Sequence, residues 1–186
     1  MKKSHLEHGA SLLEVLVAML ILSFGMLALG AMLSFSVQLP KLAGYRATAS
    51  TLALSHIERM RANPAEFRRL NGRYISELLS YDGTFNAIPS ADCIYDQCSP
   101  AALAAMDNAA TQHAVRQALP AGGMLVTCDA GTGPCDSTRY GNIWIVWQDP
   151  STAAALNSVS QDICPSQVTQ TYTKPAPHCL YVRFRI

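Results

Sequence analysis

Residues 9–18 read Gly9-Ala10-Ser11-Leu12-Leu13-Glu14-Val15-Leu16-Val17-Ala18, and they open an apolar run that continues to Pro40. From Val15 to Pro40 the chain has no charged residue, and Leu, Val, Ala, Met, Ile and Phe fill most positions. About 20 apolar residues in a helix span a bilayer core, whereas the apolar region of a cleaved secretory signal has about 7–15. The run therefore predicts a transmembrane helix near the N-terminus.

The positions of lysines and cysteines predict the orientation of this helix. Lys2 and Lys3 precede the run, and positive charge favours the cytoplasmic side. All six cysteines lie between Cys93 and Cys179 and none in the first 92 residues, and an even number in one region indicates disulfides formed in an oxidising compartment. Lys41 and Arg46 weaken the charge asymmetry, so the cysteines carry more of the argument. We expect a protein that crosses a membrane once and whose cysteine-bearing C-terminal part faces the periplasm or the exterior.

Glu14 is the unusual residue of the apolar segment. A carboxylate at the centre of a membrane helix costs roughly 2.5–3.5 kcal/mol, although near the start of the segment it can reach the headgroups. If the chain is cut between Gly9 and Ala10, Glu14 falls in the first turns of the helix, where the dipole favours a carboxylate. The freed amine of a neighbouring subunit can then neutralise it. Conventional cleavage at the small residues Ala28-Leu29-Gly30-Ala31 is the alternative.

The stretch quoted above, behind the polar leader Lys2-Lys3-Ser4-His5-Leu6-Glu7-His8, closely resembles the class III signal of type IV prepilins and type II secretion pseudopilins. The resemblance implies that a prepilin peptidase cuts after Gly9 and methylates Ala10, and that Glu14 acts in assembly. Ala10 departs from the family, in which most members carry Phe at this position. Further along, Arg59-Met60-Arg61-Ala62-Asn63-Pro64 resembles the PilV type of minor pilin.

A second helical pattern follows Pro40. Its apolar residues recur at spacings of three and four, with polar residues between them, which predicts an amphipathic helix; they are Tyr45, Ala49, Leu52, Ala53, Ile57 and Met60. The helix is expected to end before Asn63-Pro64, because a residue that precedes proline avoids the helical conformation. We therefore expect a leader at 1–9, a transmembrane half-helix at 10–39, an amphipathic half-helix at 40–63 and a periplasmic domain at 64–186.

The periplasmic domain is predicted to be of the α+β class. Ala101 to Ala118, with Leu103, Met106, Ala110 and Val115, predicts a helix, and Ser76 to Leu79 a shorter one. Three strands are predicted at Met124–Thr127, Asn142–Trp147 and Leu180–Ile186. In the last strand Leu180, Val182, Phe184 and Ile186 share one face, opposite Arg183 and Arg185. Such strands favour a small antiparallel sheet, and the resembling family packs it on the long N-terminal helix.

Six cysteines allow 15 pairings. The most economical is sequential: Cys93 with Cys98, Cys128 with Cys135, and Cys164 with Cys179. In pilins a disulfide-bounded loop near the C-terminus often forms an exposed contact surface, and the last pair resembles it. Neither Cys-x-x-Cys nor His-x-x-x-His spacing is present, so we expect no metal site.

No catalytic motif occurs, since Gly-x-Ser-x-Gly, His-Glu-x-x-His and Walker spacings are all absent. The net charge of +1 gives little support for binding nucleic acid. No enzyme activity and no cofactor are expected. The resemblance implies as partners the prepilin peptidase, other minor pilins, the major pilin, the inner-membrane assembly platform and membrane lipid. A type II secretion pseudopilin and a membrane-anchored periplasmic enzyme or binding module are the alternative functions.

Overall fold

The chain forms two compact units, one ending at Ala43 and the other running from Gly44 to Ile186. The computed structural model describes residues 11–70, 72–75, 87–89, 91–94, 96–129, 135, 140–149, 162–171 and 175–186. Within these ranges the elements are α1 (Leu12–Ala62), α2 (Pro64–Phe67), α3 (Pro100–Ala118), β1 (Gly123–Cys128), β2 (Gly141–Gln148), α4 (Ser166–Thr171) and β3 (Pro177–Phe184). The short helix predicted at Ser76 to Leu79 lies outside the described residues.

The C-terminal half of α1 is amphipathic, as the residue spacing predicted. Ala49, Ala53, Ile57 and Met60 are buried in the main core, and Tyr45 and Leu52 pack against it. Positions three and four apart lie on the same side of a helix, so these residues form one apolar stripe. The helix ends at Ala62, immediately before Asn63-Pro64, where the proline was expected to end it.

The three strands form one antiparallel sheet in the order β1-β2-β3, with β2 in the centre. Gly123 pairs with Val146 at one end of the β1-β2 ladder, and Gly141 pairs with Phe184 at one end of the β2-β3 ladder. Alternate residues of a strand point to opposite faces. Accordingly, Ile143, Ile145 and Trp147 join the main core with α1, while Trp144 and Val146 pack with Val168 and Cys179 in a second cluster. The predicted α+β fold is therefore confirmed.

The alternation predicted for β3 is also confirmed. Phe184 is buried in the main core and Leu180, Val182 and Ile186 pack against it, whereas Arg183 and Arg185 are exposed. The strand begins at Pro177, earlier than predicted from the sequence. The reason is that β2 continues to Gln148, which pairs with Pro177, and a partner strand extends a ladder beyond the residues whose own pattern indicates a strand.

Helix α3 exists where it was predicted but buries a different face. Of the four apolar residues that indicated this helix, only Val115 is buried. The other buried residues are mostly polar: Ala104, Asp107, Asn108, Thr111 and Gln112. Buried polar groups are normally hydrogen-bonded, and the partners of Asp107, Asn108 and Thr111 lie on α1 and in the turn after α2. Side-chain hydrogen bonds therefore contribute to the packing of α3. The spacing of apolar residues alone cannot predict this contribution.

Candidate functional site

Helix α1 starts at a serine cap next to the predicted processing site. The Ser11 hydroxyl accepts a hydrogen bond from the Leu13 N–H at 3.4 Å, and the Ser11 carbonyl accepts one from the Glu14 N–H at 2.9 Å. Ser11 and Glu14 have the spacing of a capping box, in which Ser precedes Glu by three residues. This start signal can be read from the sequence, and the sequence interpretation above did not use it. Gly9 and Ala10, the predicted cleavage and methylation site, lie outside the described residues.

The segment Leu12–Ser34 is 23 residues long, is apolar enough to cross a membrane, and has no residue buried by the part of the chain that the structure describes. A soluble protein covers most large apolar side chains. Here they are exposed over the whole length of the segment, from Leu12 at 86 % to Leu33 at 67 %. The hydroxyl of Ser23 donates to the Met19 carbonyl at 2.7 Å, which satisfies this polar group inside an apolar helix. The segment therefore requires an apolar environment from outside the chain.

Glu14 is exposed in the first turn of α1. The first turn of a helix presents unsatisfied N–H groups, and the dipole favours negative charge there. At this position a carboxylate stabilises the start of the helix and remains accessible for an ion pair with a cation of another molecule. The remaining part of the apolar segment, up to Ser34, has no second charged residue.

The structure pairs the six cysteines sequentially. Cys93 is bonded to Cys98, Cys128 to Cys135 and Cys164 to Cys179, with Cα–Cα distances of 5.3, 5.7 and 5.4 Å. These distances lie within the range that a disulfide requires. The first two bonds close short loops, whereas the third encloses α4 and ties it to β3. The structure therefore fixes a disulfide-bounded segment directly before the C-terminal strand.

Asp162 joins that segment to α1 and β3. Its carboxylate accepts from Arg46 at 2.8 Å, from the backbone N–H of Cys179 at 3.2 Å, and lies 3.1 Å from Nδ1 of His178. Burial alone would raise the pKa of Asp162, but the hydrogen bonds from Arg46, His178 and Cys179 outweigh it and lower the pKa below its ordinary value. Sequence reasoning missed this contact because Arg46 and Asp162 are 116 positions apart and belong to no common motif.

A second polar centre lies at the other end of the sheet, on the face opposite α1. Asp129 accepts from Asn142 at 2.9 Å and forms an ion pair with Arg183, whose guanidinium lies 4.1 Å from the centre of the Tyr140 ring. The hydrogen bonds from Asn142 and Arg183 lower the pKa of Asp129. Tyr181 donates to the Asn142 Oδ1 at 2.8 Å. The predicted outward position of Arg183 thus places it in a hydrogen-bonded network.

Between α1 and α3 lies a polar cluster, which we call the His56 cluster; its members are His56, Tyr74, Asp107, Asn108 and Thr111, all buried, and the exposed Arg59. His56 is completely buried and its Nδ1 lies 2.8 Å from the Thr111 hydroxyl. Tyr74 donates to Asp107 at 2.6 Å, and burial together with this carboxylate raises the pKa of Tyr74 well above its ordinary value. Apart from the position of His56 on a predicted helix, no sequence pattern indicated this cluster.

None of these arrangements has the geometry of a metal centre. Among the described residues, no three His, Cys, Asp or Glu side chains form a group that could hold a metal ion. The ionisable side chains are engaged in joining elements of the fold: Asp162 links α1 to β3, Asp129 links β1 to β3, and Asp107 links α3 to Tyr74. These three aspartates therefore act in packing.

Comparison with known proteins gives one match, and it falls on the N-terminal segment. The model of the prokaryotic N-terminal methylation motif matches residues 5–30. No curated protein matches the chain, and no solved structure matches it. The matched residues include the predicted cleavage site, Glu14 and most of the exposed apolar segment. The motif and the apolar helix support a type IV pilin-like or pseudopilin-like protein that is anchored in the membrane through its N-terminus and has a structural role.

Proposed function

We propose that this chain is a minor pilin of the type IV pilus, of the PilV type, which joins other minor pilins to prime pilus assembly and is located at the tip. The observation that carries the proposal is the overlap of the N-terminal methylation motif, residues 5–30, with the exposed apolar helix Leu12–Ser34. An exposed apolar rod of this length needs a bilayer, and it can exchange that bilayer for a bundle of similar rods from neighbouring subunits.

Processing precedes assembly in this proposal. The prepilin peptidase cuts the bond between Gly9 and Ala10 and methylates the new N-terminus at Ala10. Before assembly the subunit spans the inner membrane once, with the unit from Gly44 to Ile186 in the periplasm. The inner-membrane assembly platform then moves it into the pilus together with the major pilin. The leader at 1–9, the anchor at 10–39, the amphipathic half-helix at 40–63 and the domain at 64–186 are the corresponding segments.

Glu14 sets the register of the subunit in this proposal. Its exposure in the first turn leaves the carboxylate accessible to a neighbouring subunit. A charge surrounded by apolar side chains is costly unless it is paired. The N-terminal ammonium of an adjacent subunit supplies that pairing only when the two helices have the correct stagger. The interaction therefore favours one stagger over its neighbours.

N-terminal analysis of the mature protein tests the processing step. We expect mass spectrometry of the protein purified from membranes and from sheared pili to give an N-terminus at Ala10 carrying one additional methyl group. A mature N-terminus at Met1 would contradict cleavage and support a membrane-anchored periplasmic enzyme or binding module. A start at Ala31 would indicate conventional secretion.

Substitution of Glu14 tests the assembly step. We expect Glu14→Val to remain in the membrane fraction, with Ala10 still exposed by cleavage, and to be lost from sheared pili. Glu58→Gln is the matched control, because Glu58 is an exposed carboxylate on the same helix that pairs with Arg61. The assembly role is wrong if Glu14→Val enters pili as efficiently as Glu58→Gln.

A type II secretion pseudopilin is the second candidate, because its signal segment has the same features. Deletion of the gene that encodes this chain tells the two functions apart when surface piliation and protein secretion are measured in the same strain. We expect piliation to fall and secretion to continue. Retained piliation with lost secretion would replace the minor pilin proposal with the pseudopilin.

A further inference from the structure

The His56 cluster contains a buried imidazole whose environment is built for its neutral form. His56 has 0 % exposed surface, and its ring lies edge-on to Tyr74 with ring centres 6.0 Å apart. It connects α1 to α3 through Thr111. The proposed pilus function makes no use of this residue, so the inference below does not depend on that function.

The hydrogen bonds assign the proton on the ring. The Thr111 hydroxyl donates to the Asp107 carbonyl at 2.9 Å. A hydroxyl has one proton to donate, so at His56 it acts as the acceptor and Nδ1 carries the proton. Nε2 then presents a lone pair, and no hydrogen-bond partner for it is found among the described residues. The ring is therefore satisfied at one nitrogen and unpaired at the other.

The charges that face His56 do not favour a second proton. On α1 the Arg59 guanidinium is close enough to repel an imidazolium. On α3 the Asp107 carboxylate accepts from Tyr74 through Oδ2 and lies 3.4 Å from Arg59 through Oδ1. The turn after α2 contributes Tyr74 itself, which is a donor to Asp107. Both carboxylate oxygens that face the cluster are thus occupied by other groups.

We propose that His56 is an acid-sensitive latch: protonation of its buried ring releases α3 from α1, while the sheet keeps its packing. The proton would enter at Nε2, which makes no hydrogen bond to the described residues in the closed state and is close to the Asn108 side chain. Placing a charge there without a partner is costly, and opening of the α1–α3 contact admits water to solvate it. The contacts released are the hydrogen bond of Thr111 with His56 and the ion pair of Asp107 with Arg59, which join α3 to α1.

The direction of the pH dependence follows from the closed geometry. Burial, reinforced by Arg59 and only partly offset by the Asn108 side chain, which can accept a hydrogen bond from the charged ring, lowers the pKa of His56 from 6.5 to about 4 in the closed state. A histidine whose pKa is depressed by folding stabilises the closed state above its ordinary pKa, and this contribution is lost as the pH falls from about 6.5 toward 4. The opening equilibrium constant is therefore expected to rise about 20-fold between pH 7 and pH 5. In this window the carboxylates Asp129 and Asp162 stay ionised, because their pKa values are lowered.

Hydrogen exchange on the full chain in detergent micelles tests the latch. After correction for intrinsic rates, we expect the amides of α3 to lose protection between pH 7 and pH 5, by about 20-fold in the opening constant, while the amides of β2 keep theirs. His56→Gln is expected to remove this pH dependence. His113→Gln is the matched control, since His113 is an exposed histidine on α3 itself, and it is expected to behave like the wild type.

Three results would overturn the proposal. Equal loss of protection in α3 and β2 would mean global destabilisation without a latch. An unchanged pH dependence in His56→Gln would assign the effect to another group.

The third result comes from titration of the His56 ring in the wild type by NMR, a measurement that does not require the variant to fold. A ring that protonates near pH 6.5 without opening, with its Nε2–H donated to the unpaired Oδ1 of Asn108, would show that the closed state accepts the charge.

Discussion

The two ends of helix α1 have the same backbone conformation and differ in what covers their side chains. Between Leu12 and Ser34 the helix is apolar on every side, and none of its residues is buried among the described residues. Between Gly44 and Ala62 it has one apolar stripe, which is buried against the sheet and the other helices of its unit, and a polar side that is largely exposed. An amphipathic helix is covered by its own domain, whereas one that is apolar all round requires an apolar surrounding such as lipid or other helices. The width of the apolar surface thus distinguishes the N-terminal half of α1, which needs an apolar surrounding, from the C-terminal half, which packs in the globular unit.

The largest expected effect comes from placing the same charge in each half. Ile57 is 2 % exposed in the main core, so Ile57→Asp buries an unpaired carboxylate and is expected to destabilise the globular unit by more than about 4 kcal/mol. Ile21→Asp is expected to leave the unfolding of that unit unchanged and to weaken membrane insertion by roughly 2.5–3.5 kcal/mol. Urea unfolding in micelles, followed by the fluorescence of Trp144 and Trp147, measures the first effect, and membrane fractionation the second.

Leu54→Asp is the control for this comparison, because Leu54 lies on α1 in the globular unit and is 55 % exposed. We expect it to change the free energy of unfolding by about 0.5 kcal/mol or less. An Ile57→Asp protein that unfolds at the urea concentration of the wild type would contradict the assignment of the buried stripe.

A smaller effect is expected from the polar side of the amphipathic half, through the ion pair of Arg46 with Asp162. Asp162→Asn removes the charge from a side chain that accepts from Arg46 and Cys179, and is expected to cost about 1–2 kcal/mol at pH 7. Because the pKa of Asp162 is lowered in the fold, the stabilisation is present above its ordinary pKa of 3.8 and is lost as the pH falls below that value.

Urea unfolding of the wild type and Asp162→Asn at several pH values between 7 and 3 measures this difference. We expect the two proteins to converge at the acid end. Asp92→Asn serves as the control, since Asp92 is exposed, and it is expected to match the wild type throughout. A constant difference between wild type and Asp162→Asn down to pH 3 would assign the effect to lost packing and not to the carboxylate charge.

The smallest expected effect compares glycines in the two halves. A Cβ at Gly44 or at Gly25 would meet no atom within 4 Å, and alanine is favoured over glycine inside a helix by about 0.5–1 kcal/mol. Gly44→Ala is therefore expected to stabilise the globular unit by up to about 1 kcal/mol, whereas Gly25→Ala is expected to leave its urea midpoint unchanged. Gly122→Ala is instead expected to destabilise the globular unit, because its Cβ would lie 2.4 Å from the Val115 carbonyl oxygen. Equal shifts for Gly25→Ala and Gly44→Ala would contradict the separation of the two units.

Much of the fold could be predicted because it follows from the spacing of apolar residues within single helices and strands. The spacing of Ala49, Ala53 and Ile57 gave the buried stripe of α1, and the alternation of Val182 with Arg183 gave the faces of β3. Asn63-Pro64 gave the end of the helix. In each case the signal lies within a few residues and reflects the geometry of a single helix or strand.

The buried face of α3 could not be predicted in the same way. Leu103, Met106 and Ala110 indicated the helix, yet they are not buried, and the residues that α3 does bury include Asp107, Asn108 and Thr111. Buried polar side chains are normally hydrogen-bonded, and His56, Tyr74 and the Arg73 carbonyl supply those partners from elsewhere in the chain. The same reasoning applies to Asp162, whose importance depends on Arg46.

The sequence by itself determined the apolar anchor, the methylation motif, the amphipathic stripe and the three strands, because each depends on residue types at short, regular spacing. Only the tertiary structure decided which polar residues meet: His56 with Thr111, Arg46 with Asp162, and Asp129 with Arg183. The physical reason is that apolar burial is proportional to area and carries no direction, so a pattern of apolar residues is sufficient to predict it. A hydrogen bond requires two particular atoms at a particular distance and angle, and folding alone brings together residues that are distant in the chain.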